Sequence, residues 1–144
     1  MITEALFCLA LNAYWEARDQ DMKGMLAVSQ VVMNRVESEY YPDTACEVVY
    51  QGPTKPSWKD PSVSYPVKNR CQFSWYCDGK GDTPKDNFAW QQAQLAAAGV
   101  YYHQVNNLVG DSLWYHADYV KPGWAKAKKK VTKIGDHIFY SWKK

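Results

Sequence analysis

The alternation of apolar and polar positions divides the chain into a helical front, an irregular middle and a short extended region at the end. From Ile2 to about Arg18, apolar residues at Ile2, Ala5, Leu6, Leu9, Ala10 and Ala13 recur at the spacing of one helix face. Asp19, Gln20 and Asp21 interrupt the pattern, and Asp21 is placed to cap a second helix over 22–36. That helix carries Met22, Met25, Leu26, Val28, Val31, Val32 and Val36, is apolar on nearly every side, and is expected at the centre of the fold. "YYPDT" closes the pair, and a short helix is expected over 45–50. Residues 51–85 hold five Pro and no sustained period; an ordered stretch of that length without its own regular structure is uncommon and usually functional. In "DTPKDNFAWQQAQLAAAGVYYH", Thr83 as cap, Pro84 at the first helical position and Asp86 three residues after the cap predict a third helix running to about His103. Beyond Gly110, "SLWYHADYV" reads as extended, and "KVTKI-GD-HIFYSW" as a hairpin with Gly135 and Asp136 at its turn. The sum is one domain over residues 1–144, α+β and mainly helical, with a small β element near the C-terminus.

Composition changes this picture in two places. The 144 residues, 47% apolar and 22% charged, can close one core and are not those of a disordered chain. Aromatic residues, however, reach 15%, with seven Trp and eleven Tyr. Such rings usually fill cores, and they are also the flat faces on which sugars stack. The net charge of +2 is unevenly placed: eight Lys and one acid from Lys121 to Lys144 give +7, while residues 1–120 carry −5. A basic tail on a slightly acidic body attracts polyanions such as nucleic acid, a membrane surface or a bacterial envelope. A solvated lysine face on a helix, "WAKAKKK", explains the same residues without a partner, and no nucleic-acid-binding motif accompanies them.

No apolar run reaches the roughly 18 residues of a membrane helix. The N-terminus has no basic start and carries Glu4 early, so it reads as the first helix of the fold and the protein is expected to be made in the cytoplasm without a signal peptide. Four Cys are too few for a disulfide scaffold in a chain this long, and none has zinc-finger spacing. Cys71 and Cys77 flank "QFSWY" and could close a small loop outside the cytoplasm; the state of Cys8, Cys46, Cys71 and Cys77 stays open.

One residue offends the pattern. Glu16 lies seven after Leu9, four after Asn12 and three after Ala13, on the stripe that faces inward. Burying a carboxylate costs several kcal/mol unless it is paired or neutralised. An ion pair with Arg18 or Arg35 would explain it structurally. Otherwise, surrounding rings that exclude water raise its pKa and keep it protonated, as a general acid requires.

The motifs "AYWEAR", "GMLAVSQVVMNRV", "YPDTACEVVYQ", "CQFSWYCDG", "YHADYVKPGWA" and "KIGDHIFY" follow one another in that order. This combination resembles the spore-cortex-lytic (SleB-like) family of bacterial and phage cell-wall hydrolases, over about residues 5–140. The resemblance implies a lysozyme-like fold of the goose-lysozyme and lytic-transglycosylase kind. It also implies an activity that cuts the glycan strands of peptidoglycan, with Glu16 of the "EAR" motif as catalytic acid and no cofactor or metal. The family commonly continues with Gly-Glu after "EAR", whereas Asp19 and Gln20 follow here.

A lone acid would protonate the oxygen between N-acetylmuramic acid and N-acetylglucosamine. Inverting and retaining hydrolases need a second carboxylate, and Asp19, Asp78 and Asp82 are weak candidates for it. Attack by the muramic acid 6-hydroxyl needs none and leaves a 1,6-anhydro end, so a lytic transglycosylase is expected ahead of a muramidase. Gln72 and Ser74 are expected to hydrogen-bond an acetamido sugar, Phe73 and Trp75 to stack or pack, Tyr14 to face the cleft, and Tyr115 with His116 to form its opposite wall. Asn34 and Arg18 are expected as supports, and His137 as structural. A zinc amidase using His103, His116 and His137 and a non-catalytic wall-binding module are the competing classes. The implied setting is a monomeric phage endolysin that reaches the wall once the membrane is opened, its basic tail holding the anionic envelope.

Overall fold

The computed structural model describes residues 3–143; Ile2 of the expected first helix and Lys144 of the basic tail lie outside them. Three long helices form the body: α1 (Glu4–Ala17), α2 (Met22–Val36) and α4 (Asn87–Tyr101), with the short α3 (Ala45–Val49) packed against α1 and α2. Each begins where a side chain can take an orphan backbone N–H. Thr3 accepts from Leu6 N, Asp21 from Gly24 N, Thr44 from Glu47 N and Asp86 from Ala89 N. The cap of α4 is thus Asp86 and not Thr83, and the helix starts three residues later than the Pro84 signal suggests. The reason is tertiary: the backbone N–H groups of Lys85 and Asp86 both donate to the Tyr14 hydroxyl, at 3.2 and 3.0 Å, which ties this segment to α1 and keeps it extended.

α2 shares the centre with α1, which packs against α2, α3 and α4. Leu9, Ala10, Ala13, Tyr14, Val28, Val31, Val32, Ala93, Ala96 and Ala97 are wholly buried where these helices meet. Alanines on α1 and α4 let the two backbones approach closely, and Tyr14 and Phe139 fill the space that remains. The Cys8–Cys46 disulfide ties α1 to α3 across 38 positions of sequence; closing a loop of that size stabilises by roughly 4 kcal/mol in the chain-entropy account.

The middle of the chain is less irregular than its sequence. Strands β1 (Thr54–Pro56) and β2 (Ser64–Pro66) pair antiparallel with Lys55 opposite Tyr65, and Ser74–Cys77 forms a 3-10 turn. Three-residue strands exposed along nearly their whole length carry no apolar alternation, so nothing in the sequence announces them. A second disulfide, Cys71–Cys77, closes the loop around the 3-10 turn.

The predicted hairpin is present as β4 (Lys129–Ile134) and β5 (His137–Ser141), with Gly135 at φ +57° in its turn. It gains a third strand: β3 (Trp114–Ala117) pairs antiparallel with β5, giving the order β3-β5-β4. "WAKAKKK" is not a helix face. Gly123–Ala127 is a single 3-10 turn, and the chain is extended from Lys128 onward because Val131, Thr132 and Ile134 favour the strand.

Candidate active site

Glu16 sits one residue before the end of α1, and the sheet approaches it through β3. In an antiparallel ladder, residues directly opposite one another share a face. Tyr115 opposes Phe139 and Ala117 opposes His137, so Tyr115, Phe139 and His137 line the inner face of the sheet. The Tyr115 hydroxyl donates to Glu16 Oε1 at 2.5 Å. Its ring is held by Phe139 (5.5 Å between centroids), by Phe73 in a stacked arrangement and by His137 edge-on.

Burial raises the pKa of Glu16; the Tyr115 hydrogen bond and the positive charge of Arg35 pull it partly back, and the net shift is upward. The side chain nevertheless remains half-buried, not sealed. Burial and the adjacent carboxylate raise the Tyr115 pKa well above its ordinary value, so this phenol remains a donor throughout the physiological range. With Oε1 occupied as acceptor, Oε2 is the oxygen free to carry the acidic proton.

Neither guanidinium pairs with Glu16. Arg18 is exposed, donates to the Tyr14 hydroxyl at 3.1 Å and lies over the Tyr14 and Trp15 rings. Arg35 is buried, donates through Nε to Leu113 O at 2.7 Å, and is sandwiched between the Tyr41 and Phe73 rings at 4.9 and 5.3 Å. The structural explanation of Glu16 as half of a salt bridge is therefore set aside: among the described residues the ion pair formed is Lys133–Asp118. Arg35 acts on the carboxylate through space. Its own pKa is lowered by burial, and its Nη1 has no hydrogen-bond partner.

Several expected groove residues lie elsewhere. Tyr14 does not face the cleft: it is wholly buried and its hydroxyl is saturated by Arg18, Lys85 and Asp86. Of "QFSW", Phe73 and Trp75 are buried at 4% and 6% exposure, while Gln72 and Ser74 reach solvent. Phe73 stacks on Tyr115, and Trp75 donates its indole N–H to Asn12 Oδ1 at 3.0 Å, so both rings support the site from within and offer no face to a sugar. His116, next to Tyr115 in β3, points to the outer face of the sheet and is locked by Ala117 O and the Tyr140 hydroxyl at 2.7 and 2.8 Å. It is no part of the cleft wall. Asn34 donates to the carbonyls of Gly110 and Ser112, holding the loop that leads into β3, and makes no helix–helix bond.

Three residues near the carboxylate have a place in the site that sequence reasoning did not give them. Asn12, four before Glu16 on the same stripe, anchors Trp75; its Nδ2 lies near enough to the Tyr115 hydroxyl to influence it, yet makes no hydrogen bond of ordinary length. Arg35 was visible only as a pairing partner. His137 borders Tyr115, half-buried, with Nδ1 unpartnered and its pKa lowered by burial against the opposing pull of Asp19, Asp136 and Asp118. Their signal was present, as polar types on inward stripes, but only pairing across the fold gives it meaning. Gln20 stands where the family often has a second Glu. Its Oε1 accepts from Asp136 N at 3.0 Å and its Nε2 donates to Asp136 Oδ2 at 3.2 Å, so it fastens the β4–β5 turn beside α1. A carboxylate there would repel Asp136.

Among the described residues, no three His, Cys, Asp or Glu side chains converge as a metal-binding set. Asp19 Oδ1 accepts from Gln20 Nε2, Asp78 Oδ1 from Lys80 N, and the Asp82 carbonyl from the Trp15 indole N–H. The arrangement supplies one carboxyl group, raised in pKa and held in a fixed orientation.

The chain shares its fold with two solved structures. The catalytic domain of the germination-specific lytic transglycosylase SleB from Bacillus anthracis matches with a TM-score of 0.67 at 24% identity, over 97% of each chain. The catalytic domain of Bacillus cereus SleB matches with a TM-score of 0.63 at 23% identity, over 98% of this chain and 93% of that one. The lysozyme-like α+β fold expected from the motifs is thereby established. Spore cortex-lytic enzymes of Oceanobacillus iheyensis (25% identical over 134 residues) and Halalkalibacterium halodurans (24% over 131) each align with 91% of this chain. The alignments span only 39% and 33% of the lengths of those relatives. The sequence pattern of the family described as cell wall hydrolase matches residues 19–140, opening just after Glu16 and running through the sheet that carries Tyr115, and the chain belongs to that family.

Proposed function

We propose that this protein degrades peptidoglycan by cleaving the glycosidic bond between N-acetylmuramic acid and N-acetylglucosamine, with Glu16 as its single acid and base. The observation that carries this reading is the state of Glu16: half-buried, unpaired with any cation among the described residues, raised in pKa by desolvation, and oriented by the Tyr115 hydroxyl. Protonated Oε2 gives its proton to the bridging oxygen as the C1–O bond breaks, and the departing N-acetylglucosamine keeps that oxygen as its 4-hydroxyl. The muramic acid 6-hydroxyl then bonds to C1 and returns its proton to Glu16, leaving a 1,6-anhydro end and a regenerated acid. No water is consumed. The 6-hydroxyl route needs only one carboxyl group, whose hydrogen-bond partner here is Tyr115, and it is proposed ahead of hydrolysis, whose two forms both need a second carboxylate. General acid assistance contributes about 10²- to 10⁴-fold.

Gln72 and Ser74, exposed beside the buried Phe73 and Trp75, are the polar groups of this loop available to an acetamido sugar. The proposed setting is the wall of a bacterium during phage lysis, reached by a monomer whose basic C-terminal segment is drawn to the anionic envelope. Two disulfides suit that compartment better than a reducing cytoplasm. Mass spectrometry of muropeptides released from purified peptidoglycan tests the chemistry, since anhydro and reducing ends differ by one water. Wild type should give anhydro ends and Glu16→Gln no products above background. Reducing ends would assign hydrolysis, and undiminished digestion by Glu16→Gln would sink the assignment altogether.

A further inference from the structure

The strand alternation that turns Tyr115, Phe139 and His137 toward Glu16 turns Trp114, His116 and Tyr140 the other way. On this outer face Trp114 lies opposite Tyr140, and Tyr140 opposite Lys130. Trp142, just past β5, packs edge-on against Trp114 at 4.7 Å and against Tyr40 at 5.8 Å. Trp124 rests edge-on against both His116 and Tyr140. Lys128 Nζ lies 4.0 Å from the centroids of both Trp114 and Trp142, a cation–π arrangement that fixes the two rings in place.

Tyr140 is buried beneath this face, Trp114 and His116 are half-buried, and the rings around them reach solvent. Tyr40 is 68% exposed, Trp142 46% and Trp124 37%. Around them Lys126, Lys129, Lys130 and Lys143 are exposed, and Lys143 donates to the Lys126 carbonyl, which holds the tail against the turn. On this strand Lys133 is neutralised by Asp118, and the segment's one acid, Asp136, stands in the β4–β5 turn. Preordered flat rings edged by uncompensated ammonium groups match one kind of polymer: sugar rings to stack on, with carboxylates beside them.

We propose that the outer face of the C-terminal sheet is a second contact surface for peptidoglycan, which takes a glycan strand on Trp124, Trp142 and Tyr40 and its peptide-stem carboxylates on the surrounding lysines. It rests on the reading of the protein as a peptidoglycan enzyme and adds to it a docking face backing the catalytic one. A face that grips one strand while Glu16 works on another keeps the enzyme on an insoluble substrate between cuts.

The test is cosedimentation of the full chain, carrying Glu16→Gln so that the wall stays intact, with purified sacculi stripped of teichoic acid. Lys126→Glu/Lys130→Glu, at exposed positions where folding is little affected, and Trp142→Ala are each expected to weaken binding about fivefold or more. Binding of the charge variant should lose most of its dependence on salt. In the active background the same variants should cleave short soluble glycan fragments at wild-type rates while clearing sacculi more slowly. Unchanged sedimentation of the charge variant overturns the proposal, as does binding that requires teichoic acid or that favours duplex DNA over stripped sacculi. Failure of wild type to cleave any glycan would instead sink the enzymatic reading, and sedimentation would still report on the surface.

Discussion

The interaction that decides what Glu16 can do is the single hydrogen bond from Tyr115. A carboxyl group in service as an acid must be protonated, so activity is expected to fall as pH rises through the raised pKa of Glu16, above the ordinary glutamate range. Tyr115 pulls that value down while fixing Oε1, so Tyr115→Phe acts in two directions at once. The acid loses its orientation and kcat falls, about tenfold for a lost interaction of about 1.4 kcal/mol, with KM little changed. The pKa of Glu16 also climbs, and the alkaline limb of the pH–rate profile moves to higher pH. A residue that merely packs would lower stability and leave that limb where it was, which makes the profile the deciding measurement. Glu16 itself was legible from sequence because a carboxylate on an inward stripe has few explanations. Tyr115 was expected on the opposite wall of the cleft, but its bond to Glu16 was not, and Tyr14 was expected beside it. Tyr14 lies two residues before Glu16, and on a helix i and i+2 point to different faces, so nearness in sequence assigned it to the wrong side. Tyr115 reaches the site from the far end of the chain.

At the level of elements, signals that end within their own segment survived folding, and those that depend on a neighbour did not. Asp21 capping α2 and Gly135 turning β4 into β5 need nothing beyond adjacent residues, and both stand as expected. Thr83 and Pro84 made an equally good local helix start, but the Tyr14 hydroxyl captures the next two backbone N–H groups and moves the start to Asp86. Asp86→Ala should therefore cost about 1 kcal/mol, the usual loss of a capping side chain, whereas Thr83→Ala should lie within about 0.5 kcal/mol of wild type. Urea denaturation of the two variants separates the alternatives, and the reverse order would restore the cap to Thr83. The loop "CQFSWYC" follows the same logic. Its aromatic residues read equally as rings that stack on sugar or pack inside, and Asn12 and Tyr115 decide for packing by drawing Trp75 and Phe73 inward, leaving Gln72 and Ser74 outside. β3 could be seen as extended, but its pairing with β5, and with it the inner position of Tyr115, depended on register that no single strand specifies.

For the molecule as a whole, the site is where four separate parts of the chain close on one buried cation. Arg35 of α2 binds the Leu113 carbonyl at the entry to β3, stacks on Tyr41 after α2 and on Phe73 in the disulfide-closed loop, and sets its charge near Glu16 of α1. The structural and electrostatic parts of this role can be separated. Arg35→Lys keeps the charge but loses the planar stack and the Nε–H bond to Leu113, since a lysine presents a point charge and not a fork. It is expected to destabilise by roughly 2–3 kcal/mol with the alkaline limb of activity unmoved. Arg35→Met fills similar volume without charge. It strands the Leu113 carbonyl, at about 1–3 kcal/mol, and also removes the attraction that holds down the Glu16 pKa, so the limb moves to higher pH. Thermal unfolding and pH–rate profiles of the two variants, taken together, test whether Arg35 tunes the acid or only braces the fold. If both variants lose stability and neither moves the profile, the cation is a brace, and the acidity of Glu16 is set by burial and by Tyr115 alone.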